Sequence, residues 1–302
     1  MGFELRHLRY LLAVSEHGSF TRAAEALHIS QPTLSQQIKQ LERVIGAQLL
    51  DRTGRAVRLT DSGETYVHHA RRALQELSAA ERAIHDVADL SRGNLRLAVT
   101  PTFTAYLIGP VAGQLQAHHP RISLSIKEMT QDRIESALLA DDLDLGIAFR
   151  GSHLPGITAD DLFTEALSLV VGTLHPYADR TGPLAVQDLE GRPLALLSSD
   201  FATRRHIDTY FGQHQTAPHI AVEANSINAV TEIVQRTPLA SVLPEAIADD
   251  HPHLHPVPLD PPLPRRTVTL LRRSGSYQSA AAKAFTRLTR QWAASSGYST
   301  SP

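Results

Sequence analysis

From Ser30 onward the chain lays out a graded set of polar groups. Ser30, Gln31, Pro32, Thr33, Ser35, Gln36, Lys39, Gln40 and Arg43 put hydroxyls and amides first and positive charge later. Leu34, Ile38, Leu41 and Ile45 recur between them at helical spacing, so polar and apolar groups fall on opposite faces of one helix. Amide side chains can pair bidentately with base edges, and cations neutralise phosphate. A face of this kind suits a helix whose beginning enters a DNA major groove. A second cluster, Arg52, Arg55 and Arg58, has no acid within it and offers the chemistry of phosphate contact.

The elements around these residues follow from spacing and punctuation. Leu5, Leu8, Leu11 and Leu12 predict a first helix ending near His17 and Gly18. Ser19 caps a second helix with Ala23, Ala24 and Leu27 on one side. Ser30 caps the third, and Pro32 sits in its first turn, where no backbone donor is lost. Gly46 ends the third helix. The segment LLDRTGRAVRLT reads as a hairpin turning at Thr53 and Gly54, and Thr60 caps a helix running to about Ser91. That helix would be about 45 Å long, too long for one small domain to cover. Val67, Ala70, Leu74, Leu77, Ile84 and Ala88, flanked by Tyr66, Ala73, Ala80 and Val87, form a wide apolar stripe along it and predict a dimerisation helix.

Periodicity alone leaves an ordinary helical hairpin with a wet face open. The run FTRAAEALHISQPTLSQQIKQLE, followed by GAQLLDRTGRAVRLTDSGE, closes that alternative, because it resembles the winged helix-turn-helix of LysR-type transcriptional regulators. The resemblance continues through RAIHDVADL, VTPTFT, EANSI and AAAKAF, over nearly the whole length, to the branch of the family that governs cyanate operons. It implies double-stranded DNA and RNA polymerase as partners and a homodimer or homotetramer paired through the linker helix. It further implies activation of cyanate-degradation genes with repression of the regulator's own gene, and cyanate as effector, with azide as a mimic.

Beyond Gly93 the pattern alternates strand and helix. NLRLAVTP, ISLSIKEM, DLGIAF, LSLVV, RPLALLSS, HIAVEA and RTVTLLRR read as strands, and the first three predict a parallel sheet. The fold class expected is α/β: a winged helix-turn-helix at residues 1–60, a linker helix at 61–91, and a two-lobed, periplasmic-binding-protein-like effector domain at 92–302. By resemblance, lobe 1 takes residues 92–164 and 267–302 and lobe 2 takes 165–266. In such sheets ligands lie beyond the carboxyl ends of strands. Four ends carry small polar residues: Thr100 and Thr102 around Pro101, Thr130 with Gln131, Ser198 with Ser199, and Asn225 with Ser226. Any one alone is better read as a helix cap. Together they favour a site for a small anion, and none of them includes a lysine or arginine. Phe149, at the end of DLGIAF, joins the expected lining. The resemblance places Thr100, Thr130, Ser199 and Phe201 at effector-pocket positions.

Composition narrows the classes. With 42% hydrophobic and 20% charged residues in 302, the chain suits two domains with sizeable cores. A net charge of −2 argues against indiscriminate polyanion binding, so DNA contact must be local. There is no cysteine, which removes disulfides, thiol nucleophiles and thiol-based peroxide sensing. No apolar run approaches a membrane span and no leader is evident, so a cytoplasmic protein without membrane contact is expected. His251, His253 and His255 in HPHLHP have a metal-like alternation, but the flanking prolines favour a surface loop. Ser198, Ser199, Asp200 and His206 lack the G-x-S-x-G elbow of a hydrolase, so no catalytic constellation and no cofactor are expected. A solute-binding protein would account for the lobes but not for the N-terminal segment. The tail SSGYSTSP is expected to be loose.

Overall fold

The computed structural model describes residues 4–54, 56–88, 93–249 and 251–298, and the chain folds as two compact units, Met1–Ile84 and His85–Pro302. The first unit begins with α1 (Leu5–His17), α2 (Phe20–Ala26) and α3 (Gln31–Ile45). The Ser19 and Ser30 side chains accept the Arg22 and Thr33 amides, as caps should. Between α2 and α3 the chain turns through His28 in the left-handed region, a place where glycine is the usual occupant. Leu34, Ile38 and Leu41 of α3 are fully buried against Leu11, Val14, Ala23 and Ala24. Burial on this scale stabilises by about 1.5–3 kcal/mol per large side chain. On the same helix Gln37 turns inward, its Oε1 2.8 Å from Nε2 of buried His7, and ties α3 to α1.

Next come β1 (Leu50–Asp51) and β2 (Arg58–Leu59), an antiparallel pair in which Leu50 faces Leu59 and Asp51 faces Arg58. The expected hairpin is present. Arg55 lies outside the described residues, as does the expected end of the long helix near Ser91. That helix, α4 (Asp61–Ala88), starts where expected, with the Thr60 hydroxyl accepting the Gly63 amide at 3.0 Å. Along it Val67 and Ala70 are buried, while Leu77 is 43% and Ile84 69% exposed in the single chain.

The second unit contains two five-stranded sheets. In chain order its elements are β3 (Gly93–Val99), α5 (Pro101–Phe103), α6 (Gly109–His118), β4 (Ile122–Glu128), α7 (Gln131–Leu139), β5 (Leu145–Phe149), β6 (Ile157–Glu165), β7 (Leu167–Gly172), β8 (Leu184–Ala185) and β9 (Pro193–Leu197). There follow α8 (Ala202–Gln213), β10 (His219–Ala224), α9 (Ile227–Arg236), β11 (Ala240–Pro244), α10 (Glu245–Asp249), β12 (Leu254–Val257), β13 (Leu259–Asp260), β14 (Arg266–Arg273) and α11 (Ala280–Ser295). Lobe 1 is ordered β4-β3-β5-β14-β6 and lobe 2 β10-β9-β11-β7-β12, with a small β13-β8 pair besides.

The three strands expected to run parallel in lobe 1 do so, although neither sheet is wholly parallel. β3, β4 and β5 run parallel, but β14 runs antiparallel to β5 and β6 because the chain re-enters lobe 1 from lobe 2. The crossings fall between β6 and β7 and between β13 and β14. The histidine segment is not all loop: His255 lies on β12, and Nδ1 of His251 sits 2.9 Å from the Ile247 carbonyl oxygen.

Gly63 marks where α4 meets the hairpin. A Cβ there would collide with the carbonyl oxygen of Leu49, a backbone atom with no freedom to yield, and would press on the Leu59 side chain. Gly63→Ala should therefore destabilise the N-terminal unit by about 1–3 kcal/mol. Calorimetry should show its melting transition lowered while that of the C-terminal unit stays in place.

Candidate nucleic-acid interface and effector cavity

The exposed face of α3 gathers most of the expected DNA-reading residues. Gln31, Pro32, Thr33, Gln36, Lys39 and Arg43 are exposed, and Ser35 is half-buried. Positions 32, 36, 39 and 43 follow the three- and four-residue steps of one helical stripe, so one approach brings an amide near the helix start and two cations further along. Ser30 is otherwise engaged. Its Oγ accepts the Thr33 amide at 3.3 Å and lies 2.7 Å from the Thr33 hydroxyl, which makes it a cap that holds the start of the helix in shape.

The basic cluster divides. Arg58 is exposed on β2 beside Asp51, whose carboxyl is held below its usual pKa by hydrogen bonds from Thr53 and, in smaller part, by the Arg58 charge. Arg52 is not free to reach phosphate, contrary to the expectation from sequence. Its Nη2 is 2.7 Å from Oε2 of Glu42, and its guanidinium lies 5.2 Å from the centre of the Phe20 ring. The other Glu42 oxygen accepts the amides of Leu49 and Leu50 at 3.0 and 3.1 Å. One carboxylate on α3 thus fixes the entry to the hairpin, and Arg52 neutralises it. The cluster has no acid in sequence, but the fold brings one to it from ten residues upstream.

In the second unit a cavity of about 40 Å³ is lined by Thr100, Pro101, Thr102, Thr130, Gln131, Phe149, Asp200, Phe201, Ala202 and Arg205. Seven of these were expected. The carboxyl ends of β3, β4 and β5 supply lobe 1's share, and the start of α8 supplies lobe 2's. Ser198, Ser199, Asn225 and Ser226 are not among the lining residues, which corrects the expectation of four converging ends. Ser198 Oγ donates to Asp200 at 2.5 Å, Ser199 and Asn225 are exposed, and Ser226 accepts the Ala229 amide as the cap of α9. β10, the strand before Asn225, is the outermost of its sheet.

The hydroxyls that do converge have different partners. Thr102 and Thr203, both buried, join the two lobes across 3.1 Å between their hydroxyl oxygens. The Thr130 hydroxyl bonds the Asp132 carboxyl, holding it below its usual range. Thr100 Oγ1 is buried and has no hydrogen-bond partner among the described residues. A buried polar atom left unpaired costs about 1–3 kcal/mol, so a lining hydroxyl in this condition is poised for a ligand.

Asp200, Ala202 and Arg205 escaped the sequence reading. Arg205 lies one helical turn beyond Phe201, whose carbonyl accepts its amide, so it shares the face that Phe201 presents. Its Nη1 donates to the Asp200 carbonyl oxygen at 3.1 Å. Counting from Phe201 to the next turn would have found it.

These two sites have recognised relatives. Residues 5–64 match the model for the bacterial regulatory helix-turn-helix protein, lysR family, and residues 88–294 match the LysR substrate binding domain. The chain belongs to the LysR family. It is accordingly a DNA-binding transcriptional regulator and not an enzyme. A hydrogen peroxide-inducible genes activator of Dickeya chrysanthemi is 30% identical over 278 residues, 90% of each chain. A probable RuBisCO transcriptional regulator of Thalassiosira pseudonana is 33% identical, covering 77% of this chain and 78% of its own length. Among solved structures, a full-length OxyR variant from Pseudomonas aeruginosa aligns over 96% of this LysR regulator and 95% of its own chain, at 26% identity and a TM-score of 0.71. No helix among the described residues is long and apolar enough to cross a membrane.

The roles of Arg52 and Arg58 can be separated by experiment. Arg52→Ala should lower the melting temperature of the N-terminal unit, a loss of about 1–3 kcal/mol, because Glu42 then keeps a half-buried charge without its partner. Arg58→Ala should leave that transition where it is and make DNA affinity less steeply dependent on salt, by about one phosphate's worth. Thermal melts and salt-titrated mobility shifts on both variants check the assignment.

Proposed function

We propose that this LysR-family regulator answers to a small linear anion, cyanate, and activates genes for cyanate decomposition while repressing its own. The observation that carries the reading is the size and lining of the interlobe cavity. About 40 Å³ exceeds the roughly 10–15 Å³ that one water needs and suits a triatomic ion. The unpaired Thr100 hydroxyl is a ready donor, and the lining holds one arginine, Arg205, and one acid, Asp200. Azide, also linear, triatomic and singly charged, would serve as its isosteric mimic.

Hydrogen peroxide is the signal for which one relative is named, but this chain has no cysteine, so no thiol can register an oxidant here. On DNA, Gln31, Thr33, Ser35 and Gln36 read base edges while Lys39, Arg43, Arg58 and Arg55 meet phosphate. Two copies pair through α4, whose exposed Leu77 and Ile84 gain cover in a dimer or tetramer. Recruitment of RNA polymerase in the cytoplasm completes the mechanism.

Two sets of variants test it. Gln36→Ala should relax base preference at about one position and cost about 1–3 kcal/mol at the preferred operator, read as a loss of discrimination in mobility shifts with specific and random DNA. Equal losses on both sequences would displace α3 from its assigned groove. Thr100→Val keeps shape and removes one donor, so the cyanate concentration giving half response should rise roughly ten- to a hundredfold. Operator affinity without effector should stay unchanged. Ser199→Ala, exposed and outside the cavity, should respond as the parent does. A Thr100→Val protein with normal cyanate sensitivity would remove the cavity from the mechanism.

A further inference from the structure

One exposed face of lobe 1 carries charge of a single sign. α11 packs against α6, and neither helix contains an acid. In the sequence no Asp or Glu stands between Asp89 and Glu128, or anywhere after Asp260. On α11 the apolar positions Ala281, Phe285 and Leu288 are buried, which leaves Lys283, Arg287, Arg290 and Gln291 exposed. The three cations follow one another at steps of four and three and so form a single stripe, about 10 Å long. Arg287 and Arg290 make no hydrogen bond or ion pair among the described residues. Lys283 has only a ring beside it, its Nζ lying 6.0 Å from the centre of Tyr277. Two open grooves meet at the stripe and share Arg287 and Gln291, and neither is lined by a carboxylate. In a chain of net charge −2 this is a local excess that its own acids leave uncancelled.

The lining distinguishes between kinds of polyanion. A protein partner is held chiefly by aromatic or aliphatic anchors at the buried centre of the contact, with cations at its rim. Neither groove offers such an anchor: Leu288 is 5% exposed, and the remaining lining consists of cations, His, Gln, Ser, Thr and Ala. Phosphate oxygens, by contrast, accept hydrogen bonds from Arg and Lys and equally from Gln, Ser and Thr. Successive phosphates of one strand advance about 3.4 Å along a duplex, so the stripe spans about three of them. Once α3 is seated, the same duplex is also present at high effective concentration for any further cationic face of the chain.

We propose that the face formed by α6 and α11 is a second DNA contact, independent of sequence, in which Lys283, Arg287 and Arg290 take phosphates outside the base pairs that α3 reads. The contact belongs to the effector-binding unit, so DNA is held by both units of the chain. It rests on the DNA binding of the family and is independent of which effector fills the cavity.

Salt-titrated binding of the full chain to a long mixed-sequence duplex tests it, with Lys283→Gln, Arg287→Gln and Arg290→Gln combined in one variant. The replaced side chains are exposed, so the melting transition of the C-terminal unit should stay in place. The slope of log affinity against log salt should become shallower by about 2.7 per chain, three phosphates' worth. The chain has no cysteine, so Ser295→Cys, in the lining of one groove, can carry a tethered iron–EDTA cleavage reagent while the cations stay intact. That protein should cut the duplex, and Asp188→Cys, exposed on lobe 2, should not. The proposal is overturned if the triple variant keeps the parental slope, if Ser295→Cys leaves the DNA whole, or if Asp188→Cys cuts as strongly. A triple variant with the parental slope on DNA but weakened binding of poly-glutamate would assign the face to an acidic protein and overturn the proposal likewise. Base discrimination by Gln36 is read separately, so failure here leaves the assignment of α3 standing.

Discussion

One buried carboxylate organises the regulatory unit. Glu165 ends β6, at the point where the chain leaves lobe 1, and Arg266 begins β14, where it returns. The two are cross-strand neighbours and ion partners, and the buried Tyr106 hydroxyl donates to the second Glu165 oxygen. Burial and the Glu165 charge together push the Tyr106 hydroxyl far above its ordinary pKa, so it stays a donor. Replacing a buried pair of this kind with apolar groups is often harmless, but removing one member typically costs about 3–5 kcal/mol. Both chain crossings are thereby pinned at one spot, and Phe149, stacked under Arg266, is fixed in the wall of the cavity.

The DNA-binding unit depends on an analogous device of smaller scale. Glu42 accepts from two amides at the hairpin entry and from Arg52, so α3 and the hairpin beside it are tied together. In each unit a carboxylate accepts from segments distant in sequence, and a nearby arginine keeps that carboxylate from being a buried, uncompensated charge.

Those long-range pairs explain what the sequence could and could not disclose. α3 was legible because Leu34, Ile38 and Leu41 repeat at helical spacing between a serine cap and a glycine stop, all of it local information. β6 was not read as a strand. Its Asp160 and Asp161 break the apolar alternation, and only in the fold do they meet Arg272 and Arg150. β11 and β12 escaped because one is five residues ending in proline and the other lies among the prolines of HPHLHP. In the cavity, Thr100 and Ser226 look alike in sequence, since a serine or threonine after a strand serves equally as cap or ligand. The structure separates them: Ser226 caps α9, whereas Thr100 makes no side-chain cap and lines the cavity.

Hydrogen–deuterium exchange on the full chain, with and without cyanate, tests at the helix starts themselves the proposal that a small anion is held between the lobes by residues of both. Slowed exchange is expected together at residues 102–104 and 131–134 of lobe 1 and 201–205 of lobe 2, with the amides after Asn225 unchanged. Protection confined to one lobe, centred on residues 225–229, or absent at saturating cyanate and azide alike would contradict it.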